Sequence, residues 1–200
     1  MQRWQRVARR IRVPLGFVAA VLYLWELAMH RPLWTPIAVS LLLVLPGLWL
    51  RSYAAGYVKK NRELTVTGPY AHTRNPLYLG SMLMAAGFAV ALMSWAFALV
   101  LVVGFTLIYV PVIASEEKFL RGTFAEFGEY CKRVPRLIPR ITPAVMPGPK
   151  AAPVDGGGAT GRSFSLELYR RHREYNSAIG AALLYCSLLL GILLHSVYGR

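Results

Sequence analysis

The segment 68–80, which reads GPYAHTRNPLYLG, places polar and aromatic groups at the start of a long apolar run. Its Asn75-Pro76 pair predicts a helix that begins with proline in the first turn and asparagine at the N-cap. A helix N-terminus offers free backbone N–H groups and the positive end of a dipole, so it suits the carboxylate of a ligand. Tyr70 and Tyr78 can stack on a ring or donate a hydroxyl; without a ligand, they are interfacial tyrosines.

A second polar cluster, Glu116 and Glu117, follows the apolar stretch that comes next. Carboxylates beside so apolar a run are costly unless they have a partner or a task, and a ligand amine or sulfonium would be such a partner. The alternative is a helix end that emerges into water, with Lys118 and Arg121 as local partners. If the stretch is a hairpin that returns to the same side, Asn75 and Glu116 lie close together.

The third cluster is the segment 124–140, which is aromatic first and basic afterwards. Phe124, Phe127 and Tyr130 have helix-like spacing, and the prolines of VPRLIPR keep the later part extended. We expect this segment to fold back over the hairpin as a lid. A second interpretation, which does not exclude the first, is an interfacial amphipathic helix with lipid-facing aromatic residues.

Composition indicates a small integral membrane protein. Of 200 residues, 56% are hydrophobic and only 16% are charged, whereas a soluble domain of this size has more charge. The net charge of +14 comes from basic residues beside apolar segments, which favours membrane topology and anionic lipid over nucleic acid as its explanation. Cys131 and Cys186 form no disulfide framework, and no spacing typical of a metal site occurs.

We predict an all-α, polytopic membrane protein with about five transmembrane helices, since a span needs about 17–25 residues. The five apolar runs are Val13–Met29, Leu33–Leu50, Leu77–Met93, Trp95–Ala114 and Ala178–Val197. Residues 1–140 form a four-span core, with the chemistry-bearing motifs in 62–140. Residues 141–162 form a Pro/Gly-rich linker, and 163–200 an amphipathic segment with the fifth span. The linker predicts that the last span is separable from the core.

The basic residues predict the orientation. All but Arg31 and Arg200 of the 23 lysines and arginines fall on one side of the five predicted spans. The positive-inside rule places that side in the cytosol, together with the N-terminus and the cofactor pocket, and leaves the C-terminus outside. We expect the membrane to be a bacterial inner membrane.

These motifs together resemble the isoprenylcysteine carboxyl methyltransferase family, which is related to the phospholipid methyltransferases. The resemblance runs from about Arg62 to Arg140. The matching pieces are Gly68-Pro69-Tyr70, Arg74-Asn75-Pro76-Leu77-Tyr78-Leu79-Gly80, Glu116-Glu117-Lys118-Phe119-Leu120, and Phe127 through Tyr130 to Val134-Pro135-Arg136.

The resemblance implies a membrane enzyme that uses S-adenosylmethionine. The cofactor contacts it implies are Leu64, Thr65, Tyr70, Asn75, Pro76, Leu77, Tyr78 and Glu116. Candidate substrate residues are Arg74, Arg136 and Glu117. No Rossmann glycine motif occurs, so the common soluble methyltransferase fold is not expected. We nominate no general base, because a carboxylate nucleophile needs none.

The chain departs from the family pattern at three places. Asn75 replaces the usual histidine, which keeps hydrogen bonding without a positive charge. The aromatic segment between Phe124 and Phe127 is one residue shorter than in the family pattern. Val112 stands where the prenylcysteine enzymes carry an arginine implied to hold the substrate carboxylate, so a farnesylated cysteine is not the expected acceptor.

The predicted activity is methyl transfer, with O-methylation favoured, to a lipophilic acceptor that enters from the bilayer. Three alternatives stay open: N-methylation of a phospholipid or another amine, a nicotinamide-dependent membrane reductase of related architecture, and a non-enzymatic membrane scaffold. The identity of a bound small molecule discriminates among them.

Overall fold

The computed structural model describes residues 18–58, 63–146 and 164–198, and every regular element in these ranges is helical. The elements are α1 (Val18–Met29), α2 (Trp34–Ala55), a 3₁₀ helix (Gly68–Ala71), α3 (Pro76–Leu92), α4 (Trp95–Thr123), α5 (Phe127–Arg133), α6 (Leu166–Arg171) and α7 (Tyr175–Tyr198). The described ranges contain no strand, so the all-α prediction is confirmed.

Three of the described helices, α2, α4 and α7, are long and apolar enough to cross a membrane. α3 has 17 residues, which is the lower limit for a span. The described part of α1 is shorter, and residues 13–17 of the first predicted run lie outside the described ranges. Three candidate spans are therefore found in this part of the chain, and the count of five stays a prediction.

α2 and α3 pack closely because glycines face one another at their contact. A Cβ added at Gly80 would lie 2.6 Å from the carbonyl oxygen of Gly47, and one added at Gly47 would lie 2.7 Å from that of Gly80. Two turns after Gly80 on α3, a Cβ added at Gly87 would lie 3.0 Å from the carbonyl oxygen of Ser40 on α2. Small residues allow such close backbone approach between helices in lipid. The close packing of α2 and α3 holds the motif at the start of α3 in position.

The predicted hairpin between α3 and α4 is present. α3 ends at Met93, which has a left-handed backbone conformation with φ 49°, and Ser94 caps α4 by accepting a 3.1 Å hydrogen bond from the backbone N–H of Phe97. The two helices therefore reverse direction over two residues. The start of α3 and the later part of α4 consequently lie at the same end of the molecule.

The last helix packs into the same hydrophobic core as the first four. Leu188 of α7 is fully buried in a cluster with Tyr23, Val44 and Phe88, and the Tyr23 hydroxyl donates a 3.0 Å hydrogen bond to the carbonyl oxygen of Leu184. We expected from the linker that the last span is separable, and this packing argues against that expectation. The domain boundaries themselves stay predictions, since residues 147–163 lie outside the described ranges.

Candidate functional site

A cavity of 720 Å³ lies where the end of α2, the start of α3, the later part of α4 and the turn before α7 meet. All eight residues predicted to contact a cofactor line it: Leu64, Thr65, Tyr70, Asn75, Pro76, Leu77, Tyr78 and Glu116. Residues far apart in the sequence therefore converge on one space. That they bind a cofactor there stays a prediction.

Tyr78 and Glu116 connect the two polar motifs across the cavity. The Tyr78 hydroxyl donates a 2.9 Å hydrogen bond to Oε1 of Glu116. The Tyr78 ring meets the edge of Tyr109 at 5.2 Å, and Tyr109 stacks on Phe105 at 4.4 Å. The carboxylate thus stands at the end of an aromatic row on α3 and α4. The expected convergence of Asn75 with Glu116 is present in that both line this cavity.

Glu117 is held by two arginines and not by its sequence neighbours. Its Oε1 lies 3.1 Å from an Nη of Arg74 and accepts a 3.0 Å hydrogen bond from Nε of Arg136, and its Oε2 accepts from an Nη of Arg136. The hydrogen bond to Glu117 raises the pKa of Arg136. The alternative in which Lys118 and Arg121 serve as the partners of the two carboxylates is therefore not what the contacts show. Arg74 and Glu117 line the cavity, whereas Arg136 braces Glu117 without forming part of the cavity lining.

Arg74 carries an unsatisfied donor. Its backbone N–H donates to the carbonyl oxygen of Pro135 at 2.9 Å, and one Nη donates to Sγ of Cys131 at 2.7 Å. Its Nε is buried with no acceptor, which holds for no other buried side-chain nitrogen or oxygen atom in the described residues. Leaving such a donor unpaired costs about 1–3 kcal/mol, so an oxygen of a ligand is a fitting partner for it.

Asn75 occupies the predicted N-cap position of α3, but its side chain does not form the predicted capping hydrogen bond. Asn75 is the residue before α3, but its side chain makes no hydrogen bond to the helix. Its Nδ2 instead donates a 2.9 Å hydrogen bond to the carbonyl oxygen of Arg136, and the Thr73 hydroxyl donates to that of Leu137 at 3.1 Å. The side chain therefore leaves the first-turn N–H groups of α3 uncapped and ties the basic segment to the site.

The segment 124–140 folds back over the hairpin as expected. Phe127 and Tyr130 of α5 are only 1% and 2% exposed, so they are not the lipid-facing residues of the alternative interpretation. The Tyr130 hydroxyl donates a 2.7 Å hydrogen bond to the carbonyl oxygen of Tyr70. Burial raises the pKa of both tyrosines, which keeps their hydroxyls protonated. Because both rings also line the cavity, this segment forms one of its walls.

Two lining residues, Arg51 and Glu174, were missed by the sequence reasoning. Arg51 lies in the last turns of α2, and Glu174 lies just before α7. They form an ion pair of 2.9 Å between an Nη of Arg51 and Oε2 of Glu174. Arg51 could have been found from the sequence, because it is a charged residue at the end of an apolar run. Glu174 could not, because it lies beyond the segment that carries the motifs.

Comparison with known proteins agrees with the motif analysis. Residues 36–126 match the family model described as phospholipid methyltransferase. The matched family is one of the group of isoprenylcysteine and phospholipid methyltransferases. The resemblance predicted from the motifs is confirmed. Arg51, Arg74, Glu116 and Glu117 lie inside the matched segment and Glu174 lies outside it.

Two curated bacterial proteins are similar to part of the chain. The cobalt-zinc-cadmium resistance protein CzcN of Cupriavidus metallidurans is 39% identical over 95 residues, which cover 48% of this chain and 43% of that protein. The nickel-cobalt-cadmium resistance protein NccN of Alcaligenes xylosoxydans xylosoxydans is 37% identical over 95 residues, which cover 48% of this chain and 44% of that protein. The chain thus spans less than half the length of either relative. No solved structure matches it significantly.

Proposed function

We propose that this protein is a membrane methyltransferase that binds S-adenosylmethionine in the 720 Å³ cavity and methylates a lipophilic acceptor. The observation that carries the proposal is the convergence of eight motif residues, distant in sequence, on that one cavity. The family match to residues 36–126 supports methyl transfer as the reaction class. When bound, the cofactor supplies a methyl group activated by its sulfonium.

The cavity offers a partner for each charged part of this cofactor. The uncapped N-terminus of α3 presents backbone N–H groups and a positive dipole end to the carboxylate. Glu116 presents a carboxylate to the ammonium and sulfonium groups. Tyr70 and Phe127 supply aromatic surface for the adenine ring. These contacts fix the position of the methyl group and need no metal or acid-base group of the protein.

The acceptor side of the cavity is apolar. Ile108, Pro111, Val112 and Phe119, all on α4, form part of the lining. α4 is also a candidate membrane span, so a lipophilic acceptor has a route along it from the bilayer. Catalysis is then mainly positioning, with the nucleophile held in line at about 3–3.5 Å from the methyl group. No residue is nominated as a general base.

We infer O-methylation as the reaction from the motif resemblance, and the geometry adds a reason to keep N-methylation as the second candidate. Glu116 and Glu174 both line the cavity, so an acceptor amine would find a carboxylate there. Incubation of membranes with labelled cofactor separates the two: a methyl ester releases its label in mild alkali, whereas an N-methyl group keeps it. That a farnesylated cysteine is not the preferred acceptor stays a prediction, based on Val112.

We also propose the bacterial inner membrane as the location, with the N-terminus and the cavity on the cytosolic side and the C-terminus outside. The basic flanks of the apolar runs support this orientation. Membrane lipids are the expected neighbours, and nucleic acid is not an expected partner. Reporter fusions to the two termini that are active only on one side of the membrane test the orientation.

Isothermal titration calorimetry in detergent tests cofactor use. We expect S-adenosylmethionine and S-adenosylhomocysteine to bind, and a ligand at 100 times its dissociation constant to stabilise the protein by about 2.7 kcal/mol. A reduced nicotinamide dinucleotide is the matched control, because it is the cofactor of the reductase alternative. Binding of the nicotinamide in place of S-adenosylmethionine would favour the reductase. Binding of neither would favour the scaffold.

A further inference from the structure

Arg51 and Glu174 form a charged wall of the cavity that the cofactor motifs do not explain. Nε of Arg51 donates to Oε2 of Glu174 at 3.2 Å, and one Nη donates to both of its carboxylate oxygens at 3.1 and 2.9 Å. The other Nη contacts the Ser81 hydroxyl and lies 3.4 Å from the carbonyl oxygen of Leu77. The side chains of Arg51 and Glu174 are 22% and 12% exposed, so the pair borders the cavity without standing free in it.

Gly80 leaves space for the side chain of Arg51 beside α3. A Cβ added at Gly80 would lie 2.7 Å from Cγ of Arg51. Any larger residue at position 80 would therefore push against the arginine stem where it crosses α3. Gly80 is the last residue of the polar motif, and its close contact with Arg51 gives this glycine a reason beyond helix packing. The guanidinium reaches the first turns of α3, beside Tyr78.

Anchoring of the last helix does not require this ion pair. α7 is already held by the buried Leu188 and the hydrogen bond from Tyr23. The segment before it is held by Phe164, which stacks on Tyr53 at 6.2 Å. An ion pair taken out of water is a weak source of stability, and an ionisable group at the end of a membrane span usually has a task.

The other arginines near the cavity are less suited to meet an acceptor. Arg74 and Arg136 share Glu117, and Arg136 is not part of the lining. Arg74 adjoins Asn75 at the start of α3, on the side assigned above to the cofactor carboxylate. Arg51 approaches the cavity from α2, on neither of these sides. The described lining residues on α4, which form the acceptor side, include Val112 and no cation.

We propose that Arg51, held in place by Glu174, binds the anionic oxygens of the acceptor lipid head, which belong to a phosphate or a carboxylate. This proposal rests on the proposed methyltransferase function and assigns the head-group subsite of that same cavity. The Nη that contacts Leu77 and Ser81 has only uncharged partners, whereas the other Nη and Nε pair with the Glu174 carboxylate, so the first Nη is the corner that turns to the acceptor. Glu174 already pairs with this guanidinium, so it neutralises the charge of Arg51 until an anion binds. It also competes with that anion for the guanidinium. The C-terminal segment thereby contributes to acceptor selection.

Binding of three single-chain lipids with the same acyl chain tests the subsite. One probe has a phosphate head, one a carboxylate head and one a neutral glycerol head, and each is titrated into the full-length protein in neutral detergent. We expect the wild type to bind at least one anionic probe about tenfold more tightly than the glycerol probe. The comparison of the phosphate with the carboxylate probe identifies the source of the anionic oxygens.

Three variants identify the residue responsible. Arg51→Gln is expected to lose the preference for the anionic probe, and Arg51→Lys to keep part of it, since lysine retains the charge without the planar donor pair. Glu174→Gln is expected to bind the anionic probe at least as tightly as the wild type, because the competing carboxylate is gone. Glu167→Gln, an exposed carboxylate of α6, is the matched control and is expected to bind like the wild type.

The outcomes separate this proposal from the proposed function. If the wild type binds S-adenosylmethionine but shows no preference for an anionic probe, the subsite proposal is wrong and the methyltransferase proposal survives. If the cofactor does not bind, the methyltransferase proposal fails first. Equal weakening of the anionic and glycerol probes in Arg51→Gln and Glu174→Gln would show that the pair is only a structural anchor.

Discussion

Tyr78 and Glu116 are 38 residues apart in sequence and joined by a 2.9 Å hydrogen bond from hydroxyl to carboxylate. The bond unites the motif at the start of α3 with the motif at the end of the apolar part of α4. Glu117, the next residue, points to a different pair of partners, Arg74 and Arg136. Both carboxylates line the cavity, but Glu116 pairs with Tyr78, whereas Glu117 is held by Arg74 and by Arg136 of the segment 124–140.

The first prediction contrasts these two carboxylates. Glu116→Gln is expected to weaken S-adenosylmethionine binding by about 1.5–3 kcal/mol, because a charge-assisted contact is lost, while the unfolding temperature changes little. Glu117→Gln is expected to have a smaller effect on binding and a larger one on stability, since it removes the charge shared by Arg74 and Arg136. Calorimetry and thermal unfolding in detergent measure the two effects.

Glu126→Gln serves as the control for both substitutions, because Glu126 is an exposed carboxylate nearby that does not line the cavity. Equal and small effects of Glu116→Gln and Glu117→Gln would mean that the carboxylate pair is only a solvated helix end.

The second prediction concerns Tyr130, whose pKa is raised by burial. In the unfolded chain the hydroxyl ionises near pH 10, whereas the folded protein keeps it neutral to a higher pH. The stability from this group is therefore fully present below about pH 10 and falls by about 1.4 kcal/mol per pH unit above it. Tyr130→Phe is expected to destabilise the protein at neutral pH, because the carbonyl oxygen of Tyr70 loses its donor, and to flatten the alkaline decline.

Unfolding free energies at pH 8 and about pH 11 measure that decline. The difference between wild type and Tyr130→Phe should shrink as the pH rises. A difference that stays constant across this range would show that Tyr130 does not titrate differently in the folded and unfolded states.

Much of the site could be predicted because its motifs are local. Asn75-Pro76 marks the start of α3, and the short link at Ser94 returns the chain to the same side. These two facts suffice to bring Glu116 to the cavity. The side-chain chemistry of Asn75 could not be predicted, because it depends on the carbonyl oxygen of Arg136, which arrives only when the lid folds back.

The packing of the C-terminal segment could not be predicted from the linker, for a physical reason. A glycine-rich linker indicates a flexible connection, but it does not report what the next helix packs against. Leu188 reads as one apolar residue in a uniform run, and only tertiary structure shows that it is fully buried. Glu174 likewise gains its partner from α2, 123 residues earlier in the chain.

The third prediction concerns the close contact of α2 and α3. Gly80→Ala is expected to destabilise the protein by about 1–3 kcal/mol, because the new Cβ would lie within 3 Å of the Gly47 carbonyl oxygen and the Arg51 stem. Gly180→Ala is the matched control, since this helical glycine has open space around it and alanine favours a helix by about 1 kcal/mol. Thermal unfolding in detergent compares the two. Stabilisation by both substitutions would mean that α2 and α3 are further apart than described.

The last prediction tests whether α7 is part of the core. Leu188→Ala is expected to lower the free energy of unfolding by about 2 kcal/mol or more, because it opens a cavity among Tyr23, Val44 and Phe88. Leu193→Ala, which changes a side chain that is 59% exposed on the same helix, is the matched control and should have little effect. The linker alone predicts that a chain ending at Thr142 keeps its cofactor affinity; the packing predicts that this truncation is much less stable than the full chain. Thermal unfolding of the two point variants and the truncation, followed by calorimetry with S-adenosylmethionine, decides between these expectations. A truncated protein as stable as the full chain, together with equal effects of the two leucine substitutions, would show that α7 is separable after all.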